Sequence, residues 1–579
     1  MLLHREWLSQ KLAHHGKCYP PSILARAVIH EVLEYDDLAA FDAFVVYQLC
    51  QKELSDEFVT DLEAHELDGE KWLGHVADDE QRTNVARKVK IHAVAILVRC
   101  LAKLGATKDA KAFLDELKRD TRLTKSGSIR DIKSQPIEYP ITRLIWDDDL
   151  GLDELEAAVM AEKATRFGMS RREVYPWSYH EPDRNSPKSV LEISHYLAQI
   201  TSDLEVRVTS LPAFDTDGQA TGEISRQLGL FAKRNLNPGR KVLDEKSVLT
   251  AIRPLDDAIC DACGQELEGL PFNQVTQCDG TDCDTTFCSE DCKARAVNEY
   301  HRPAPENKSD IEIDADDTSE DELMSSNKSP SAQRQKWPLV RPAPFCGNED
   351  LNCIGRSTNT DTPEWDLYFL LLTRATAMSI TQQVHPLDLP EIRHLWADFD
   401  PCTYQSGQVL QGRKKLKRRL PFSVQHNLQY VLDYFSTLSL SHPEATPYSA
   451  YWLENFDFWI LQTLFAKFRG VANATQSTFD GKPEIASVHP GWCLANHSCA
   501  PNVKWTPKGI RQFHVRTQEE RKWTDDTGPE QWQGIRAGEE IFSHYTDVRL
   551  PVQERRDRLK EVLGGKCHCA RCLVEAQDS

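Results

Sequence analysis

Apolar positions in the first two hundred residues recur with the period of an α-helix. Phe41, Phe44, Val45 and Leu49 fall at i, i+3, i+4 and i+8, which lines one helix face. Val94, Leu97, Leu101 and Leu104 line another. Gly105 follows directly and supplies a stop, because glycine enters the left-handed conformation at a helix end without steric cost. Ala112, Phe113 and Leu117 then place a short helix beyond that turn. A long helix, a glycine turn and a second helix have the outline of tetratricopeptide-type packing. No repeat period accompanies it, so the expectation for residues 1–200 is a helical domain, solenoid-like at most. Tyr175, Pro176, Trp177 and the polar stretch to Pro187 read as a loop leading onward. The helical period returns from Trp365 to Met378 and from Phe422 to Leu438.

Composition breaks this pattern at 303–345. Two early prolines, the run Asp310 to Asp317 and the block Ser319, Glu320, Asp321, Glu322 bury too little to order a chain, so a disordered acidic insert is expected. Residues 413–419 (RKKLKRR) are basic, and suit a nuclear-import or nucleic-acid patch as well as a solvated surface segment. At 579 residues the chain exceeds one core, and with 40% hydrophobic residues it is globular. No apolar run approaches the ~18 residues of a membrane span, and the opening residues lack the apolar core of a secretory signal. The net charge of −20 argues against direct nucleic-acid binding and suits a basic partner such as a lysine-rich protein tail.

Seventeen cysteines in a chain expected in the nucleus or cytoplasm point to metal rather than disulfides. Only Cys18, Cys50 and Cys100 precede residue 260. Cys260, Cys263, Cys278, Cys283, Cys288, Cys292 and His301 crowd together as soft ligands, where a hydrophobic core would use Leu, Ile and Val. At the far end, Cys567, Cys569 and Cys572 are three thiols in six positions, and a tetrahedral zinc site needs a fourth. Cys499, within Asn496-His497-Ser498-Cys499-Ala500-Pro501-Asn502, is the candidate. His489, Cys493 and His497 would share one helix face, but Pro490 and Gly491 break any helix there, so they are not taken as a metal site.

The NHSC segment followed by a C-terminal CxCxxC resembles the SET-domain protein-lysine methyltransferases. The earlier cluster resembles a MYND finger, and together they resemble the SET/MYND (SMYD-type) proteins over about residues 224–575. The resemblance implies a SET-domain β-fold with an inserted MYND-like zinc finger and a helical insert; with the N-terminal all-α domain of residues 1–200, which lies outside it and rests on apolar periodicity, the chain is expected to be α+β. The segments expected are 201–255 for the first SET part, 256–302 for the finger, 303–345 for the acidic insert and 346–480 for the helical insert. The catalytic SET segment follows at 481–550, and the zinc tail at 551–579. It further implies three zinc ions. Cys260, Cys263, Cys288 and Cys292 would hold one; Cys278, Cys283, His301 and Cys346 a second, with Cys353 as the alternative eighth ligand; Cys499, Cys567, Cys569 and Cys572 the third.

The same resemblance implies S-adenosyl-L-methionine as cofactor, met by Leu228 and Gly229 in QLGLFA, by Asn473, and by Asn496 and His497. Tyr545, in the closing GEEIFSHYTD segment, would be the catalytic tyrosine and also touch the cofactor. The implied substrate is a histone or other lysine-bearing protein, with further partners taken by the helical domain and the finger. Gln227 stands where the family has glycine, and Leu563 and Gly565, either side of Gly564, stand where it has the two aromatics of an aromatic-Gly-aromatic. These support the alternative, a non-catalytic adaptor that binds protein partners in transcriptional regulation. A thiol hydrolase built on Cys493 or Cys499 fits less well, because zinc explains Cys499.

Overall fold

The structure, a computed structural model, describes residues 1–15, 19–54, 79–126, 151–161, 167–214, 220–252, 259–271, 273–278, 285–301, 363–397, 418–439, 442–476, 483–505, 509–521, 533–563 and 565–577. The acidic insert, Cys283, Cys346, Cys353 and residues 413–417 of the basic run lie outside them.

The molecule is a mixed helix-and-sheet protein with two main apolar cores. Helices Leu2–His15, Pro20–Val32, Asp36–Leu54, Asp79–Leu104 and Thr107–Ser126 form the first part of one core. The expected faces are inside: Phe41, Phe44 and Val45 are buried with Leu49 packed against them, as are Val94, Leu97, Leu101 and Leu104. Gly105 has φ +84°, and the Ala106 amide reaches back to the Leu101 carbonyl at 2.9 Å, which closes the helix end.

Two local readings are corrected. The helix after Gly105 is long, Thr107–Ser126, and buries Ala110, Leu114 and Leu117 with Phe113 half-buried. Ala112 faces solvent, because the i, i+4, i+7 set that meets the core starts at Ala110. Phe422 lies in the strand Arg418–Phe422, which pairs antiparallel with Gly168–Arg171; helical structure begins only after the Ser423 cap.

Helices Pro363–Gln382 and Phe458–Val471 join the same core, so they pack as one body with the N-terminal helices. Phe41 stacks on Phe458 with centroids 4.3 Å apart, and Trp452 lies against its ring at 6.0 Å. Beside them Arg26, fully buried, bonds Asp42 and Asp457, and Asp457 also takes Arg5.

The second core belongs to the strands. The hairpin Leu204–Phe214 with Ala220–Ala232 packs on helix Pro187–Ile200 through Ile193, Leu197, Leu204 and Leu230. A three-stranded sheet of 241–245, 511–515 and 503–505 adds Leu243, Val503 and Phe513 to this core, while the other, of 249–252, 483–488 and 473–476, turns Leu249, Ala251 and Val488 into the first core. Two short strands, Asn496–His497 and Phe542–Ser543, run parallel and set the NHSC segment beside the GEEIFSHYTD segment. Among the described residues no helix is long and apolar enough to cross a membrane.

Candidate functional site

Backbone turns shape the first cysteine cluster. The Cys260 amide donates to the Gln265 carbonyl and Gly264 returns to the Cys260 carbonyl, both at 2.8 Å, with Gly264 at φ +70°. Helix Glu290–Glu299 opens on Ser289, whose hydroxyl accepts the Cys292 amide at 3.3 Å and aims that side chain back toward Cys288. The ligand atoms of Cys260, Cys263, Cys288 and Cys292 all lie within 4.8 Å of one another, buried; Cys263–Cys288 is 3.7 Å and Cys288–Cys292 3.5 Å. Cys278 and His301 are brought together separately, sulfur to Nε2 at 3.1 Å. Helix Pro363–Gln382 locks the module down: Arg374 lies 3.8 Å over the Tyr300 ring and 3.2 Å from the Asp261 carboxylate.

The second cluster joins distant chain segments. Cys499 meets Cys572 at 3.4 Å and Cys567 at 4.0 Å, with Cys569 completing the group. Leu559 and Leu563 of helix Val552–Leu563 cover it, and the Arg571 guanidinium bonds the Cys499 and Val548 carbonyls.

Both clusters fit zinc. A tetrahedron with Zn–S near 2.3 Å has sulfurs about 3.8 Å apart, which the spacings above bracket. The four thiols of each group hydrogen-bond one another, which draws Cys288, Cys292, Cys569 and Cys572 below the ordinary thiol range while Cys263 and Cys567 lie above it. Four thiolates on one zinc leave a net negative charge. Lys246 stands 3.9 Å from Cys292 and Arg555 3.6 Å from Cys572 to offset it.

A third group, His180, His385 and Asp388, also has its donor atoms within 4.8 Å. Its imidazoles, however, stack at 3.6 Å and 5°. A metal bound to both would sit about 60° out of each ring plane at normal Zn–N distance, where imidazole has no lone pair. His180 instead bonds Asp388 at 2.7 Å, and His385 Nδ1 accepts the Leu387 amide at 3.2 Å. His489, Cys493 and His497 turn to separate partners: the Gly509 carbonyl, the Val471 carbonyl and Cys499.

Between the strand core and the tail lie the other candidates. The parallel pair sets Asn496 opposite Phe542 and His497 opposite Ser543. Asn502 staples that pair, donating to the Glu540 carbonyl and accepting the Phe542 amide, each at 2.8 Å. Asn496 Nδ2 donates to the Leu228 carbonyl at 3.1 Å and to Glu540 Oε1 at 2.7 Å; Thr209 holds the other Glu540 oxygen. Gly229 makes room for this arrangement, since a Cβ there would sit 2.6 Å from Glu540 Oε1 and 3.0 Å from Asn496 Nδ2. Partial burial raises the Glu540 pKa.

Tyr545 stands 39% exposed, with its ring 5.2 Å from His497 and its hydroxyl donating inward to the Ala495 carbonyl at 2.8 Å. Burial of that end raises the phenol pKa, and burial pushes the His497 imidazole down to about 4. Leu228, Gly229, Asn496, His497 and Tyr545 thus converge. Asn473 is held apart on its own strand, its side-chain oxygen accepting from Arg511, which lies over Trp505 at 5.2 Å and Trp492 at 5.8 Å.

Three residues that matter here carried no separate signal. Glu540 sits inside the closing segment, where its neighbours drew the reading. Arg511 is one cation in a short strand. Glu245 is one carboxylate in another, yet it is buried and accepts the Gly491 and Trp492 amides at 2.8 and 2.7 Å and the Tyr196 hydroxyl at 2.7 Å. It anchors the turn that delivers Asn496, and burial pushes its pKa up to about 7.

No protein-family model matches the chain. Over 93 residues it is 36% identical to N-lysine methyltransferase SMYD2-B of Xenopus laevis, a stretch covering 16% of this chain and 18% of that protein. It is 33% identical over 93 residues to N-lysine methyltransferase SMYD2 of Homo sapiens, and 34% identical over 91 residues to SMYD2 of Sus scrofa, with the same coverage. The similarity supports a relationship to the SMYD-type proteins over that stretch. The chain spans less than a fifth of the length of the curated relatives it matches.

Proposed function

We propose that this chain is an S-adenosyl-L-methionine-dependent protein-lysine N-methyltransferase of SET/MYND type, acting on a histone or other lysine-rich protein. The observation that carries the reading is the convergence of Gly229, Asn496, His497 and Tyr545 beside a four-thiol centre, in a chain similar in part to lysine methyltransferases. Zinc would occupy both four-thiol clusters, and Cys278, Cys283, His301 and Cys346 a third site. The N-terminal helices and the finger would take protein partners, in the nucleus or cytoplasm.

Bound cofactor would supply an electrophilic sulfonium methyl. The chain's own residues do the rest by placement. Gly229 lets the Asn496 amide and the Glu540 carboxylate lie against its backbone, and His497 follows Asn496 in the same short strand, where both would border the cofactor. Tyr545 spends its proton on Ala495, so its oxygen lone pairs are free to accept from a lysine amine and aim it. A lysine of ordinary pKa ~10.4 must arrive neutral, and desolvation in a narrow channel favours that form. The acidic chain attracts basic substrate segments.

One observation favours the adaptor reading: the Asn473 oxygen is committed to Arg511 rather than open to a ligand. Calorimetric titration of S-adenosyl-L-methionine into the zinc-loaded protein separates the two. Micromolar binding lost in Asn496→Ala supports the enzyme. No binding by a folded, zinc-loaded chain refutes it and leaves the adaptor.

A further inference from the structure

We infer that His497 ties the C-terminal four-thiol centre to the Tyr545 backbone, with one hydrogen bond at each ring nitrogen. The Tyr545 amide donates to Nδ1 at 3.1 Å, and a backbone N–H can only donate. Nδ1 therefore offers its lone pair, and the ring proton resides on Nε2. Nε2 faces the Cys499 sulfur at 3.3 Å, so the imidazole donates an N–H···S bond to that sulfur. The ring cannot easily turn away: the His497 backbone is paired with Ser543, the next amide is bonded to the Ser543 carbonyl at 2.9 Å, and Tyr545 packs 5.2 Å off.

The two bonds serve two ends. At the sulfur, His497 does for Cys499 what Arg555 does for Cys572, drawing charge from a thiolate in a centre of net negative charge. At the amide, it fixes the residue whose hydroxyl rests on Ala495. His497 is thus a positioning residue that makes the metal centre and the tyrosine one unit. A role limited to bordering a cofactor would leave both contacts without purpose. The inference rests on zinc in the tail cluster, and its tyrosine end on the proposed methyl transfer.

The test compares the zinc-loaded full chain with His497→Ala and His497→Phe, the latter keeping ring volume but neither nitrogen. Zinc is competed with a chromophoric chelator, the tail ion being the one missing from Cys572→Ser. Both variants should hold the tail zinc 10–100-fold more weakly, the usual effect of losing such a partner, with the Cys260 cluster unchanged. With cobalt(II) in the tail, the thiolate charge-transfer band should move to lower energy in both, because the sulfur loses its hydrogen bond. Wild-type affinity and band position in His497→Phe would mean packing alone and overturn the bridge, as would a wild-type tail that takes no zinc. Weakened tail zinc in a chain that binds no S-adenosyl-L-methionine would uphold the bridge while refuting the enzyme reading.

Discussion

Replacing Arg26 with methionine removes a guanidinium that is 0% exposed and bonds two carboxylates. Its Nε and Nη2 reach Asp42 at 2.9 and 2.7 Å, and Nη1 and Nη2 reach Asp457 at 3.1 and 3.2 Å. Methionine fills much of the volume but leaves both acids buried. Among the described residues Asp42 keeps His30 and Tyr448, and Asp457 keeps Arg5 and the Phe458 amide. Breaking a buried ion pair from one side typically costs about 3–5 kcal/mol, a large share of the ~5–15 kcal/mol that holds a domain folded.

The cost has a pH signature. Arg26 holds the Asp42 pKa below its ordinary value, so this stabilisation is present above that value and is lost as pH falls through the depressed one. The difference between wild type and Arg26→Met should therefore be full at pH 7 and shrink below about pH 4. Urea unfolding followed by tryptophan fluorescence suits the assay, since Trp177 and Trp452 lie within the same packed cluster. A loss under about 1 kcal/mol at pH 7 would mean that the two carboxylates reach water. The docking of the first three helices on Phe458–Val471 would then be wrong.

Tyr545→Phe should keep the fold and zinc content and lower methyl transfer at least 100-fold, as loss of a positioned polar group does; full activity removes Tyr545 from the mechanism. Cys572→Ser should lose one zinc by elemental analysis and unfold the tail, and normal S-adenosyl-L-methionine binding in that variant sinks the shared-metal arrangement. Glu245, with a native pKa of about 7 against 4.5, binds a proton more tightly when folded, so its contribution falls as pH rises from about 4.5 to 7. The full effect is on the order of 3 kcal/mol. Melting temperatures of wild type and Glu245→Gln should converge toward pH 7 from a wild-type advantage at pH 5, and parallel curves would refute the burial of that carboxylate.

Features encoded within a few residues were readable from the chain alone. The faces of Asp36–Leu54 and Asp79–Leu104 follow from apolar spacing, and the stop at Gly105 from one residue's freedom at positive φ. The pairing of Cys499 with the tail thiols, 68 to 73 positions away, is not local; it was legible because three thiols in six positions call for a fourth and the NHSC segment resembles a known partner. Where local pattern competed with packing, packing won: Ala112 reads as apolar, yet the core meets the face that starts at Ala110.

Long-range partners had no such trace. Arg26 and Asp457 are 431 positions apart, and each is an ordinary charged residue in its own segment. Their burial beside each other, with Phe41 stacked on Phe458 and Tyr448 bonded to Asp42, joins the N-terminal helices to helix Phe458–Val471. Glu245, Arg511 and Glu540 are likewise single residues whose roles depend on which amides or side chains the fold delivers to them. Sequence determined the helices, their ends and the metal-binding chemistry, because hydrophobic period, glycine and thiol spacing act over a few residues. Tertiary structure decided which segments share a core and which polar groups are satisfied, because burial and hydrogen bonding are properties of neighbours in space.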